Sequence, residues 1–227
     1  MEREAPKSVV ILEGLEGRLC FSKAPLVPPL ALPPEVSYPM PSQVINRVLY
    51  VEGTHRADVI SLTVGANRSI VVAVNSDVRT YAPGDFRSVV INGGRSDDLI
   101  SVGSERRAIV HSVLAWGGLG HDTIQGGQGN DELHGQSGWD VMYGSRGNDL
   151  LMGESQTDTL RGGDGDDTCF GADGNDLIAG DGGTDVLWGG VDADRFVIEV
   201  GEPRKQVNDP SRLDVVFEND GTIFSKS

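Results

Sequence analysis

From Gly117 to Val197 the chain repeats itself every nine residues without a gap: GGLGHDTIQ, GGQGNDELH, GQSGWDVMY, GSRGNDLLM, GESQTDTLR, GGDGDDTCF, GADGNDLIA, GDGGTDVLW and GGVDADRFV. The first position is always glycine and the eighth always apolar, at Ile124, Leu133, Met142, Leu151, Leu160, Cys169, Ile178, Leu187 and Phe196. The sixth is always aspartate, at Asp122, Asp131, Asp140, Asp149, Asp158, Asp167, Asp176, Asp185 and Asp194. Such a unit cannot bury its single apolar side chain alone, so the copies must stack into a solenoid.

Each position has a physical role. The six-residue GGxGxD stretch predicts a turn that visits positive φ at its glycines and leaves carbonyl oxygens pointing one way. The three residues after it predict a short strand whose middle side chain turns inward. With one turn and one strand per nonapeptide, two repeats close a coil of 18 residues, and alternate repeats lie above one another. Aspartates on one side then sit about one strand spacing apart, roughly 4.7–4.9 Å, where two carboxylates repel by about 1 kcal/mol even in water. A divalent cation between them turns repulsion into attraction. Carboxylate and carbonyl oxygens, with no histidine or thiolate at a regular position, favour Ca2+ over zinc, copper or magnesium.

These nine copies resemble the repeat of the RTX family, the hemolysin-type calcium-binding proteins, with weaker copies at Gly53–Ser61 (GTHRADVIS) and Gly93–Ser101 (GGRSDDLIS). The resemblance implies an all-β, right-handed parallel β-roll with ions bridged by turns two repeats apart. The nine aspartates are then the expected metal ligands, beside the turn residues Gly117, Gly118 and Gly120, Gly126, Gly127 and Gly129, and Gly162, Gly163 and Gly165. Five turns on one side and four on the other set a ceiling of seven ions. GESQTDTLR lacks the second and fourth glycines and GGVDADRFV carries Asp192 at the fourth, so the sites needing Asp158 or Asp194 are the weakest by pattern. The best matched pairs are Asp122 with Asp140, Asp131 with Asp149, Asp149 with Asp167, and Asp167 with Asp185.

Charge follows the repeat. The chain holds 34 acidic against 19 basic residues, a net charge of -15, and sixteen of the acidic residues but only Arg146, Arg161 and Arg195 of the basic ones lie in the repeat block. That balance argues against a nucleic-acid partner or an anionic membrane. No apolar run is long enough for a membrane-spanning helix, and no hydrophobic helical region of the kind used for pore formation is present. Cys20 and Cys169 are too few and too distant for a disulfide framework.

Around the block the texture differs. Eight of the eleven prolines fall between Pro6 and Pro41, which reads residues 1–43 as a leader and extended linker. Within it VVILEGLEGRLCFS matches, at Leu12, Glu13, Leu15, Glu16, Arg18, Leu19 and Ser22, the LEPR motif of planctomycete surface and exported proteins, with Gly17 where that motif has proline. No apolar stretch of ordinary signal-peptide length follows the first charges. The resemblances together imply a secreted or cell-surface protein. Residues 44–116 alternate β-branched runs with turn residues and read as a β-helical lead-in, and residues 198–227 as a tail capping the open end of the roll.

No catalytic pattern stands out. None of His55, His111, His121 and His134 opens an HExxH motif, and no GxSxG elbow or phosphate loop occurs. The expected function is therefore calcium binding by a non-catalytic β-roll with a structural or adhesive role, or an export module parted from a secreted enzyme. Eighteen-residue stacking also predicts an outward strip through His134, Met152, Phe170 and Trp188, covered by the tail or used by a cell-surface or matrix partner.

Overall fold

A computed structural model of the chain describes residues 42–103 and 109–198, Val207, and two further strands at Val215–Glu218 and Ile223–Ser225. The leader with its LEPR-like segment, Cys20 and most of the tail lie outside the described residues.

Two sheets face each other. The first runs in the order β1 (Ser42–Ile45), β2 (Val48–Glu52), β6 (Ser88–Arg95), β8 (Ser112–Leu119), β10 (Glu132–Ser137), β12 (Leu150–Ser155), β14 (Thr168–Asp173), β16 (Val186–Val191). The second contains β5 (Asp77–Tyr81), β4 (Ile70–Val74), β3 (Val59–Val64), β7 (Leu99–Val102), β9 (Thr123–Gln125), β11 (Val141–Arg146), β13 (Thr159–Asp164), β15 (Leu177–Gly182), β17 (Arg195–Ile198), β18 (Val215–Glu218) and β19 (Ile223–Ser225), in that spatial order. Strands alternate between sheets as the chain advances, and neighbours from β2 to β16 and from β3 to β18 are parallel. This is the parallel β-roll that the repeat predicts. In the roll Leu133 faces Leu151, Leu151 faces Cys169 and Cys169 faces Leu187, so the coil is two nonapeptides long.

All nine eighth-position side chains are fully buried, at 0% exposure, and meet between the sheets as two facing columns. The lead-in joins the same sheets through wider coils: Val48 pairs with Ser88 and Val59 with Leu99, then Val89 with Val113 and Leu99 with Thr123. The antiparallel meander β3–β4–β5 fills the widest coil and adds Ile70, Val72 and Val74 to the core. Beyond β17, β18 pairs with it in parallel and β19 returns antiparallel, while Val207 bridges Leu187 on the other sheet.

The strands differ from the three-residue expectation. Most are six residues long, running from position seven of one repeat through position three of the next. Pairing skips position one and resumes: His134 faces Met152 and Gln136 faces Glu154. The strand thus bends through the corner of the coil rather than ending there.

Candidate metal centre

The aspartates form two ladders along the corners of the roll. In the first, the backbone N–H of Asp58 donates to Asp98 Oδ1, Asp98 to Asp122, Asp122 to Asp140, Asp140 to Asp158, Asp158 to Asp176 and Asp176 to Asp194, each at 2.7–2.8 Å. In the second, Val113 donates to Asp131, Asp131 to Asp149, Asp149 to Asp167 and Asp167 to Asp185, at 2.8–2.9 Å. Every one of these carboxylates is at most 3% exposed. The structure therefore brings together all nine sequence-predicted aspartates, including Asp158 and Asp194, in two uniform columns.

One oxygen of each is held; the other is the point of interest. The Oδ2 atoms of Asp98, Asp122, Asp140, Asp149, Asp158, Asp167 and Asp176 are buried without a hydrogen-bond donor. A buried carboxylate oxygen left unpaired costs several kcal/mol unless the group is neutralised or coordinated. The carboxyls respond accordingly. Burial, opposed by the backbone N–H donor and in most cases reinforced by neighbouring carboxylates, pushes Asp98, Asp167 and Asp176 up to about 6, Asp122 and Asp149 to about 7 and Asp158 to about 8. Burial raises Asp140 too, against the Asp122 N–H and His121. Asp131 is likewise raised by burial, to about 6, yet both its oxygens are occupied: Gly127 N–H donates to Oδ2 at 2.7 Å and Val113 N–H to Oδ1.

Why position one is invariably glycine differs from the expectation. None of the nine first-position glycines has left-handed φ. A Cβ at Gly117, Gly162 or Gly180 would lie within 2.8 Å of both Cβ and Cγ of Asp122, Asp167 or Asp185, because the aspartate five residues on fills that space. Left-handed φ belongs to positions two and four, at Gly118, Gly120, Gly163 and Gly165 as predicted, and is kept by Glu154, Gln156 and Asp192 where glycine is missing. The turn that departs is Gly126–Asp131, which matches the pattern as fully as Gly117–Asp122 and Gly162–Asp167 do but whose Gly127 and Gly129 stay outside that region.

The turns also line up carbonyl oxygens between coils. A Cβ at Gly126 or Gly144 would meet the first-position carbonyl of the next coil at 2.7 or 2.5 Å, and those at Gly163 and Gly165 would strike the carbonyls of Ser145 and Gly147 in the coil before. Among the described residues no three His, Cys, Asp or Glu side chains converge. A cation placed here would be held by carboxylate and carbonyl oxygens together, a hard donor set that suits calcium and gives zinc nothing to prefer.

A third ladder was not foreseen. Fifth-position side chains accept from the fifth-position N–H of the following coil: Asp97 from His121, His121 Nδ1 from Trp139, Asn130 from Asn148, Asn148 from Asp166, Asp166 from Thr184, and Asn175 from Ala193, at 2.8–3.1 Å. The signal was present as Asn, Asp or His before the aspartate in five of the nine repeats.

These features define a class, an all-β solenoid with oxygen-lined acidic corners. Residues 116–151, 143–178 and 170–196 match the family model of the RTX calcium-binding nonapeptide repeat (4 copies), so the segment 116–196 carries RTX repeats, and calcium binding is the property of that family. No curated protein and no solved structure matches the chain. Among the described residues no helix is long and apolar enough to cross a membrane.

Proposed function

We propose that the chain is a calcium-dependent β-roll module of a secreted or cell-surface protein, non-catalytic, with a structural or adhesive role. The observation that carries the reading is the row of buried, donor-less Asp Oδ2 atoms beside aligned carbonyl oxygens. Without a cation, ionising that row in a dry corner opposes folding. With calcium at the millimolar level outside cells, binding to the folded form alone pulls the chain into the roll by mass action. Affinities near the 10⁻⁴–10⁻³ M of extracellular modules would keep the block unfolded at cytosolic calcium and export-competent. Circular dichroism of the purified chain, in chelator and then in excess calcium, tests this: β signal should appear with calcium, and a signal already complete in chelator refutes coupled folding.

The adhesive part rests on the first sheet. Trp116 stacks on His134 with ring centroids 5.9 Å apart, and Phe170 on Trp188 at 6.3 Å, with Met152 between them in register. His134 is held by Glu154 at 2.9 Å and Glu132 at 3.1 Å; burial lowers its pKa, but these contacts outweigh it and raise it overall. A partner at the cell surface or in a matrix would meet this strip. Replacing Phe170 and Trp188 by serine should abolish calcium-dependent capture of that partner from envelope extracts while leaving calcium affinity intact. Absence of any specific capture by the native chain favours an export and stabilisation module instead.

A further inference from the structure

We infer that the turn Gly93–Asp98, outside the segment matched to the repeat family, forms a divalent-cation site with the turn Gly117–Asp122, whereas the consensus-perfect turn Gly126–Asp131 forms none with Gly144–Asp149. The inference rests on the calcium reading above and changes where the ions sit.

Sequence pattern ranks these two turns the other way. GGRSDD lacks the fourth glycine and sits in a coil of 24 residues, whereas GGQGND has every expected residue. The backbone reverses that ranking. Gly94 (φ 112) and Ser96 (φ 73) take the left-handed conformation at the second and fourth positions that the regular repeats take, as do Gly118 (φ 118) and Gly120 (φ 131) in the facing turn. Gly127 and Gly129 do not.

The point where a Cβ of Gly93 would stand is 2.5 Å from Gly117 O and 2.7 Å from Asp98 Oδ2, a convergence of own carboxylate and next-coil carbonyl shared by Gly126, Gly144 and Gly171, so what separates the two turns is the backbone and whether the carboxylate oxygen already has a donor. The Gly94 and Ser96 carbonyls face Gly118 and Gly120, as those of Ser145 and Gly147 face Gly163 and Gly165. Asp98 is 3% exposed and its Oδ2 has no donor. A dry carboxylate oxygen with no donor, close to the Gly117 carbonyl, is suited to ligate a cation.

The two neighbouring column ends show what a closed end looks like. Asp58 accepts from Thr54 N–H at 2.5 Å, from Thr54 Oγ1 at 3.2 Å and from Asn75 Nδ2 at 2.5 Å. Asp131 accepts from Val113 and Gly127 N–H. In each the chain's own donors occupy both oxygens, so a cation would have to displace hydrogen bonds already made. Asp98 lies between a closed end and the regular ladder, and belongs with the ladder.

The test is ion counting on the full chain by equilibrium dialysis against radioactive calcium, with circular dichroism as the folding control. Asp98→Asn keeps an acceptor for Asp58 N–H but turns an amide NH2 toward the carbonyls; it should lose one ion relative to the native chain. Asp131→Asn should lose none. An unchanged count in Asp98→Asn, or one ion lost in Asp131→Asn, overturns the placement while leaving the calcium reading standing. A native chain that binds no calcium overturns both. Because either variant could destabilise its coil, crystals of the native chain with Tb3+ give a mutation-free answer. Anomalous density between turns 93–98 and 117–122, and none between 126–131 and 144–149, supports the inference; the reverse refutes it.

Discussion

Gly162→Ala separates two explanations of the invariant first-position glycine. If the position needed left-handed backbone, alanine would cost a conformational penalty wherever it was placed; but Gly162 is outside that region, so the backbone alone would accept alanine with a gain of about 0.4–1 kcal/mol from a stiffer unfolded chain. The structure puts the cost elsewhere. The new methyl would lie 2.7 Å from Asp167 Cβ and 2.8 Å from its Cγ, and closer still to Oδ2. Asp167 must swing out, breaking the 2.8 Å bond from Asp149 N–H. Overpacking of about 1–3 kcal/mol and loss of a charged hydrogen bond of about 1.5–3 kcal/mol give a net destabilisation of about 2–5 kcal/mol. Urea unfolding in saturating calcium, followed by circular dichroism, measures it. In an Asp167→Ala background the obstacle is gone, and the same glycine substitution should cost under about 1 kcal/mol, leaving a coupling energy of about 2–4 kcal/mol in the double-mutant cycle. Gly182→Ala is the control: its Cβ would find only Asp164 Oδ1 and Gly163 O, both at 3.8 Å, and the change should stay within about 0.5 kcal/mol. Equal costs for Gly162→Ala with and without Asp167, or a Gly182→Ala cost as large as that of Gly162→Ala, would refute the argument.

Three further outcomes follow from the same geometry. The folded-state carboxyls lie above their ordinary value of 3.8, so the metal-free fold is favoured below about pH 4 and loses that stability as pH rises through 6 to 8. Dichroism in chelator should therefore show β content falling from pH 4 to pH 8, with calcium restoring it at pH 8; β content that rises with pH in chelator contradicts the sign. Burial raises the Cys169 thiol, helped by Asp167, Asp185 and Asp149, and its side chain is fully buried. In a Cys20→Ser chain, thiol labelling should be slow in calcium and fast in chelator, and equal rates would mean that the column holding Cys169 does not form with metal. Finally, Asn148→Ala removes the acceptor of Asp166 N–H at 3.1 Å on the exposed corner, and should cost about 0.5–1.5 kcal/mol in calcium without changing the ion count.

The repeat makes its own register legible. Because position eight is apolar in every copy, the stacking of Leu133, Leu151, Cys169 and Leu187 follows from the amino-acid pattern alone, and so does the alignment of aspartates eighteen residues apart. Strand length does not, because a bend at position one is compatible with continued pairing at positions two and three only once the neighbouring coil is in place. The roles of the glycines are half legible: pattern marks where Cβ is excluded but not whether φ or a neighbour excludes it. The Gly126–Asp131 turn shows the limit most clearly. Its residues are ideal, but the coil before it offers Val113 N–H in place of a matching acidic turn, and the backbone settles on Gly127 N–H as the second donor. The meander inside the widest coil is invisible to the repeat period, although its β-branched runs read as strands.

The ladders carry a direction, and it bears on how the roll forms. Each sixth-position carboxylate accepts from the coil before it, while the fifth-position Asn, Asp and His side chains accept from the coil after them. A coil in the middle of the block therefore has N–H groups and acceptors that only its neighbours can satisfy, and one buried apolar side chain per nonapeptide to offset the entropy of ordering it. The wide coils at the start are different: Leu49, Val51, Ile60, Leu62, Val72, Phe86, Val89 and Ile91 supply a denser core, and Asp58 is satisfied by Thr54 and Asn75 without metal. Order should begin there and pass into the repeats coil by coil as calcium binds. Hydrogen exchange at a calcium level below the folding midpoint tests this: amides in β2, β3, β4 and β6 should stay protected while those from β10 to β17 exchange freely. Protection lost uniformly from β2 to β17, or retained in β12–β16 and lost in β2–β6, would show that the metal-filled repeats, and not the wide coils, start the fold.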